Sequence, residues 1–252
     1  MLTTFVLNIF IAASLNQLWA LINTQQLIVL MPLFDTKIPA NAGIFFNQIM
    51  EIAAFDFIEV GDYLDEWLGL EPIEPENPNF VTLGLGSIFL LNNMGTLAIA
   101  YLVWFTAALI AMLVKLGVHT SKRMRNMYTT LKRKLFFNSL ISLFVESYSL
   151  LCVCCLINTS YISLKTFGFG FHSVICVFFF GFLVLFPAAI FWYIRRHYSE
   201  LDTPFMRRHY GNLYEELNLK EGEKVLLQPI FFLVRRMQLA LAVVVVTQAL
   251  IW

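Results

Sequence analysis

The sequence predicts an all-α fold, a polytopic helical bundle that crosses a membrane about five times and carries an outer interfacial helix between its first two spans. Three observations predict it: long apolar runs, scarce charge, and strict segregation of the charge that remains. The 252 residues are 59% hydrophobic and only 13% charged, where an average soluble domain carries about 25% charged residues. A soluble fold of this size cannot cover that much apolar surface. The same composition excludes a disordered chain, a basic nucleic-acid-binding domain and a disulfide-built secreted domain.

A hydrocarbon core about 30 Å thick needs roughly 20 apolar helical residues to cross, and residues 3–33, 81–114, 136–157, 169–194 and 229–252 meet that requirement. Together they make one transmembrane domain over 1–252. The first run has no basic n-region and is too long for a signal-peptide core, so it reads as a span. It carries Asn16, Gln17, Asn23, Gln25 and Gln26. The spacing of Asn16 and Asn23 puts both on one helix face, which must point at protein as packing glue or as a polar conduction path.

Between the first two spans, residues 35–80 interleave acids with Ile44, Phe45, Phe46, Ile49, Ile52 and Phe55 at helical spacing. This predicts a helix over 41–70 lying on the membrane surface or against the bundle. Pro72, Pro75 and Pro78 then make an extended connector. In the second span, Gly84, Gly86 and Gly95 permit close helix approach, and Asn92 and Asn93 fall near its middle. Pro187 in the fourth span frees a backbone carbonyl.

The formal net charge is zero, yet the distribution is far from neutral. Residues 35–80 hold ten acids against Lys37, whereas 115–134 and 195–236 hold 15 of the 17 bases. The positive-inside rule makes the loops 115–134 and 195–228 cytoplasmic and places 35–80 outside. The expected location is the plasma membrane or another cell-surface membrane. Asn158-Thr159-Ser160, the one N-glycosylation sequon, falls in the short outer loop of this topology.

Glu146 is the one acid inside a predicted span, near the bilayer midplane. Two readings stand: an ion or proton site, or a neutral carboxyl hydrogen-bonded to a neighbouring helix, with Asn92 and Asn93 as its expected partners. At the basic side, Arg195, Arg196, Arg207, Arg208, Arg235 and Arg236 form pairs suited to anionic inner-leaflet head groups, or express topological bias alone. Cys152, Cys154, Cys155 and Cys176 are apolar packing residues first. His172 lies four positions before Cys176, too sparse a set for a metal. No His/Asp/Glu constellation, Ser-His pair or phosphate loop suggests an enzyme, and no cofactor or nucleic-acid partner is expected.

Several strings resemble a known family. Ser14-Leu15-Asn16-Gln17-Leu18-Trp19, the run from Pro32 through Phe34 to Pro39-Ala40-Asn41, Ala54-Phe55-Asp56-Phe57, and Tyr210-Gly211-Asn212-Leu213-Tyr214-Glu215 ahead of Arg235-Arg236 are similar to the multi-span C-terminal membrane region of large ciliate surface proteins. In those proteins, cysteine-rich, furin-like or growth-factor-receptor-like repeats precede that region. The Tyr210–Glu215 string with Arg235-Arg236 more weakly resembles fungal transient receptor potential-like membrane proteins.

The resemblance implies no catalytic residues. It also implies further spans beyond Trp252, so the chain is expected to be a truncated member. The expected function is a multi-pass module of a surface receptor or sensor-like protein, its partners being the bilayer and other membrane helices. The alternative is a channel or transporter component with a cation or proton path past Glu146, Asn92 and Asn93.

Overall fold

A computed structural model describes residues 39, 41–42, 44–46, 61–71, 73–76, 78–82, 84–117, 121–135, 138–214, 217 and 222–249. The expected first span, with Asn16 and Asn23, lies outside the described residues, as does half of the expected interfacial helix over 41–70. Helical positions are present at 41–42 and 44–46.

Among the described residues the regular structure is helical: α1 (Gly61–Leu68), α2 (Pro78–Thr82), α3 (Leu90–Met94), α4 (Thr96–Leu116), α5 (Lys122–Leu135), α6 (Asn138–Thr159), α7 (Phe167–Arg196), α8 (Pro204–Tyr214) and α9 (Leu227–Ala249). Four of them, α4, α6, α7 and α9, are long and apolar enough to cross a membrane. The chain is therefore built on membrane-length helices. α6, α7 and α9 stand where the sequence predicts spans over 136–157, 169–194 and 229–252.

The expected span over 81–114 is different. It divides into α2, a non-helical stretch, α3, and the continuous helix α4. Gly84 at φ 79° and Gly95 at φ 49° adopt conformations that side-chain-bearing residues rarely take, and each ends a short helix. No described atom lies within 4 Å of a Cβ built on Gly84 or Gly86, so neither is at a close helix approach among the described residues. Asn92 and Asn93 consequently sit before the membrane-length helix rather than in its middle.

Contacts divide the chain into two compact units, one of residues 1–96, 149–176 and 240–252, the other of 97–148 and 177–239. In the first, α1 packs on α3. Phe80, Leu85, Ile88, Phe89, Leu90 and Met94 are buried to 2% exposure or less. The proline-rich connector is clipped by the Ile88 N–H, which donates to the Ile73 carbonyl at 3.0 Å. Gly168, at the start of α7, is so close to Leu70 that a Cβ there would meet its side chain at 2.7 Å.

In the second unit, the Phe144 ring meets Phe182 and Phe186 edge-on at 4.7 and 4.5 Å, in the range favoured by aromatic quadrupoles. Pro187 lies inside α7. Its missing N–H leaves the Leu183 carbonyl without its i+4 partner. The Tyr148 hydroxyl donates to that carbonyl at 2.9 Å. The helix runs on to Arg196 because a side chain on α6 supplies the bond that proline removed.

Candidate functional site

Polar side chains of the first unit converge on one short segment, 87–93. Asn93 is buried and uses both ends of its amide on Ser87, its Oδ1 accepting the Ser87 N–H at 3.1 Å and its Nδ2 donating to the Ser87 carbonyl. The side chain thus acts as a surrogate strand edge for a loop whose backbone groups would otherwise lack partners. Asn92 points elsewhere, and its Nδ2 donates to Asp65 Oδ1 on α1 at 2.8 Å. Asp65 is only 8% exposed, so this bond satisfies a carboxylate that could not otherwise be left there cheaply.

The α6 and α7 helices grip the same segment. Asn158 Nδ2 donates to the Ile88 carbonyl at 2.7 Å, the Cys154 thiol reaches the Asn93 carbonyl at 3.8 Å, and the His172 ring lies 4.7 Å from that of Phe89. Beside it, Ser173 Oγ accepts the Ser163 N–H at 3.1 Å and donates to the Ser163 carbonyl at 3.0 Å. Five buried polar atoms here have no hydrogen-bond partner among the described residues: Asn92 Oδ1, Ser149 Oγ, Asn158 Oδ1 and both ring nitrogens of His172. All four residues belong to the first unit. An orphaned buried group costs about 1–3 kcal/mol, so these atoms are expensive where they stand.

Asn158 has a second consequence. It is 2% exposed and its amide nitrogen is engaged with Ile88, so the sequon cannot be glycosylated in the folded chain, and it lends no support to an orientation. The four cysteines are free and buried, and Cys176 donates to the Cys155 carbonyl at 3.4 Å. Among the described residues no group of three or more His, Cys, Asp or Glu is placed to hold a metal ion.

Glu146 belongs to the second unit and is partly buried on α6. The expected amide partners are in the first unit, where Asn93 is engaged through both ends of its amide and Asn92 through its Nδ2. One turn of sequence reasoning was missed: Arg236 is 4% exposed, its Nη1 donates to the Val145 carbonyl at 3.2 Å, and its guanidinium lies 4.2 Å from the Phe232 ring centroid. Arg236 is therefore not a lipid head-group contact. It is a buried cation bonded to the residue next to Glu146.

The remaining arginines fare differently. Arg195 and Arg196 are exposed at the end of α7, over the rings of Phe191 and Trp192 at 5.8 and 5.3 Å. Arg235 is exposed on α9. Arg207 and Arg208 belong to α8, which meets α7 through Tyr193 and Tyr210, their rings 4.7 Å apart. Partial burial and the Tyr193 hydroxyl push the Tyr210 phenol above its ordinary range. Buried Tyr214 closes this layer, its hydroxyl donating to the Leu201 carbonyl at 2.9 Å. No protein family, curated protein or solved structure matches the chain.

Proposed function

We propose that this chain is a multi-pass integral membrane module of a surface receptor or sensor-like protein, without catalytic activity, similar to the membrane region of the large ciliate surface proteins its sequence strings resemble. The observation that carries this reading is the engagement of Asn93. Both ends of its amide are tied to the Ser87 backbone, so the amide is spent on holding its own segment, which supports a packing role over a conducting one. On this reading the acidic segment 35–80 faces outside, the basic loops face the cytoplasm, and the plasma membrane or another surface membrane holds the chain. Exposed Arg195, Arg196 and Arg235 then sit at the inner leaflet, where each base gains about 1 kcal/mol from anionic lipid.

A second reading, a channel or transporter component with a cation or proton path, is favoured by the position of Glu146 beside the Val145 carbonyl that Arg236 engages. A partly buried acid near a buried cation is a common ingredient of such paths. Flux from liposomes containing the purified chain separates the two. The module reading expects no ion or proton flux above that of empty liposomes. Flux that disappears in Glu146→Gln would overturn it. Topology is tested by single cysteines introduced at Glu74 and Arg125, since the native thiols are buried; labelling from opposite sides is expected, and labelling of both from one side contradicts the orientation.

A further inference from the structure

The helix α5 begins five residues after α4 ends: Gly117 closes the membrane-length helix through its N–H on the Val114 carbonyl at 3.0 Å, and Ser121 caps the next one, its Oγ accepting the Arg123 N–H at 3.2 Å. A linker that short spans at most about 17 Å, so α5 is held at the membrane boundary by the chain itself. Its sequence, KRMRNMYTTLKRKL, contains no acid.

At 3.6 residues per turn, Met124 and Tyr128 share one face, while Lys122, Arg123 and Arg125 lie away from it. Observed exposure follows the same division. Lys122, Arg123, Arg125, Asn126 and Thr129 are exposed, and Met124 and Tyr128 are partly covered. Met124 is turned toward the end of α4, because a Cβ on Gly117 would meet its Cε at 3.0 Å. Met124 therefore looks back at the membrane-length helix, and Lys122, Arg123 and Arg125 are exposed. This is the arrangement of an interfacial helix.

We infer that α5 is a docking surface for anionic lipid head groups of the leaflet at this end of the bundle, with Lys122, Arg123 and Arg125 as its head-group contacts. Charge complementarity carries the assignment: positive-inside bias requires bases near this end but does not sort exposed bases away from a partly covered Met124 and Tyr128 on the same helix. The inference holds for either functional reading, since it requires only that α4 cross a bilayer.

The test uses the full chain in nanodiscs of mixed phosphatidylserine and phosphatidylcholine, with lipids co-purifying on detergent extraction counted by native mass spectrometry. The native chain is expected to retain phosphatidylserine preferentially. Neutralisation in the triple variant K122Q/R123Q/R125Q should cut that preference by about tenfold or more, given about fivefold per base. The variant Lys165→Gln, which removes an exposed base in the loop between α6 and α7, should leave it unchanged.

A triple variant that keeps the native preference overturns the assignment, as does an equal loss in Lys165→Gln. Binding of soluble inositol hexakisphosphate in phosphatidylcholine-only nanodiscs, with the same dependence on the three bases, also overturns it in favour of a soluble anion. Should the triple variant fail to fold, the native chain decides. Raising salt from 0.15 to 1 M shortens the screening length from about 8 to about 3 Å and must abolish the preference, and a preference that survives contradicts the inference.

Discussion

Helices α6 and α7 are both apolar and both long enough to cross a bilayer, yet 61% of the membrane-length window of α6 is buried against 22% of that of α7. Their polar content explains the difference. α6 presents Ser147, Tyr148, Ser149, the three cysteines 152, 154 and 155, and Asn158, all buried. Tyr148 bonds the carbonyl that Pro187 frees, Ser147 bonds the Tyr101 hydroxyl at 2.7 Å, and Asn158 bonds the Ile88 carbonyl. α7 instead exposes Val174, Val177, Phe178, Val184, Leu185 and Trp192, side chains that need no polar partner and suit a lipid surface. In a solvent as apolar as leucine, helices associate through polar bonds and close packing rather than through the hydrophobic effect. A helix bearing polar groups is drawn inward even when its average hydropathy is high.

That contrast can be broken most sharply by paired truncations. Leu151→Ala on α6, where the native side chain is fully buried, should cost about 2–5 kcal/mol. Leu185→Ala on α7, where the side chain is 66% exposed, should fall within about 0.5 kcal/mol. Denaturant titration of the purified chain in mixed micelles measures both, and equal costs would erase the distinction. Next in size are the polar bonds. Tyr148→Phe strips the Leu183 carbonyl of its donor, and Asn93→Ala strips both backbone groups of Ser87. Each should cost about 1–3 kcal/mol in the same titration.

Ser147→Ala removes the bond to the Tyr101 hydroxyl together with the Oγ bond to the Leu143 carbonyl of its own helix and should cost about 0.5–1.5 kcal/mol. The smallest expected effect is none at all. Expression in a glycosylating host followed by glycosidase treatment should produce no mobility shift, because Asn158 is sealed beneath the 88–93 segment. A shift would mean that this end of α6 opens.

Much of the fold could be read from hydropathy, because a bilayer imposes one length scale on any helix that crosses it. The extents of α6 and α7 follow from that constraint alone. The region before α4 could not be read so, since what divides it is a specific side chain. Asn93 folds back on Ser87, and the glycines that read as helix-approach sites are a turn and a helix stop. The same holds for the polar groups. Asn92 and Asn93 were legible as unusual residues, but the Asn92 partner Asp65 lies 27 residues away in an acidic segment where every carboxylate looks alike from sequence. Arg236 was hidden by its neighbour Arg235: the two are adjacent in sequence, and the helix turns one outward and the other inward.

The central claim is that α6 is the protein-facing helix and that α4 and α7 meet lipid. A lipid-phase carbene reagent applied to the native chain in liposomes, with labelled positions mapped by mass spectrometry, tests it most directly. The account predicts labels at Leu109 and Leu113 of α4 and at Val177, Phe178 and Leu185 of α7, all exposed, and none over the buried run from Leu150 to Cys155. Labelling of that run at a level comparable with α7 would contradict it.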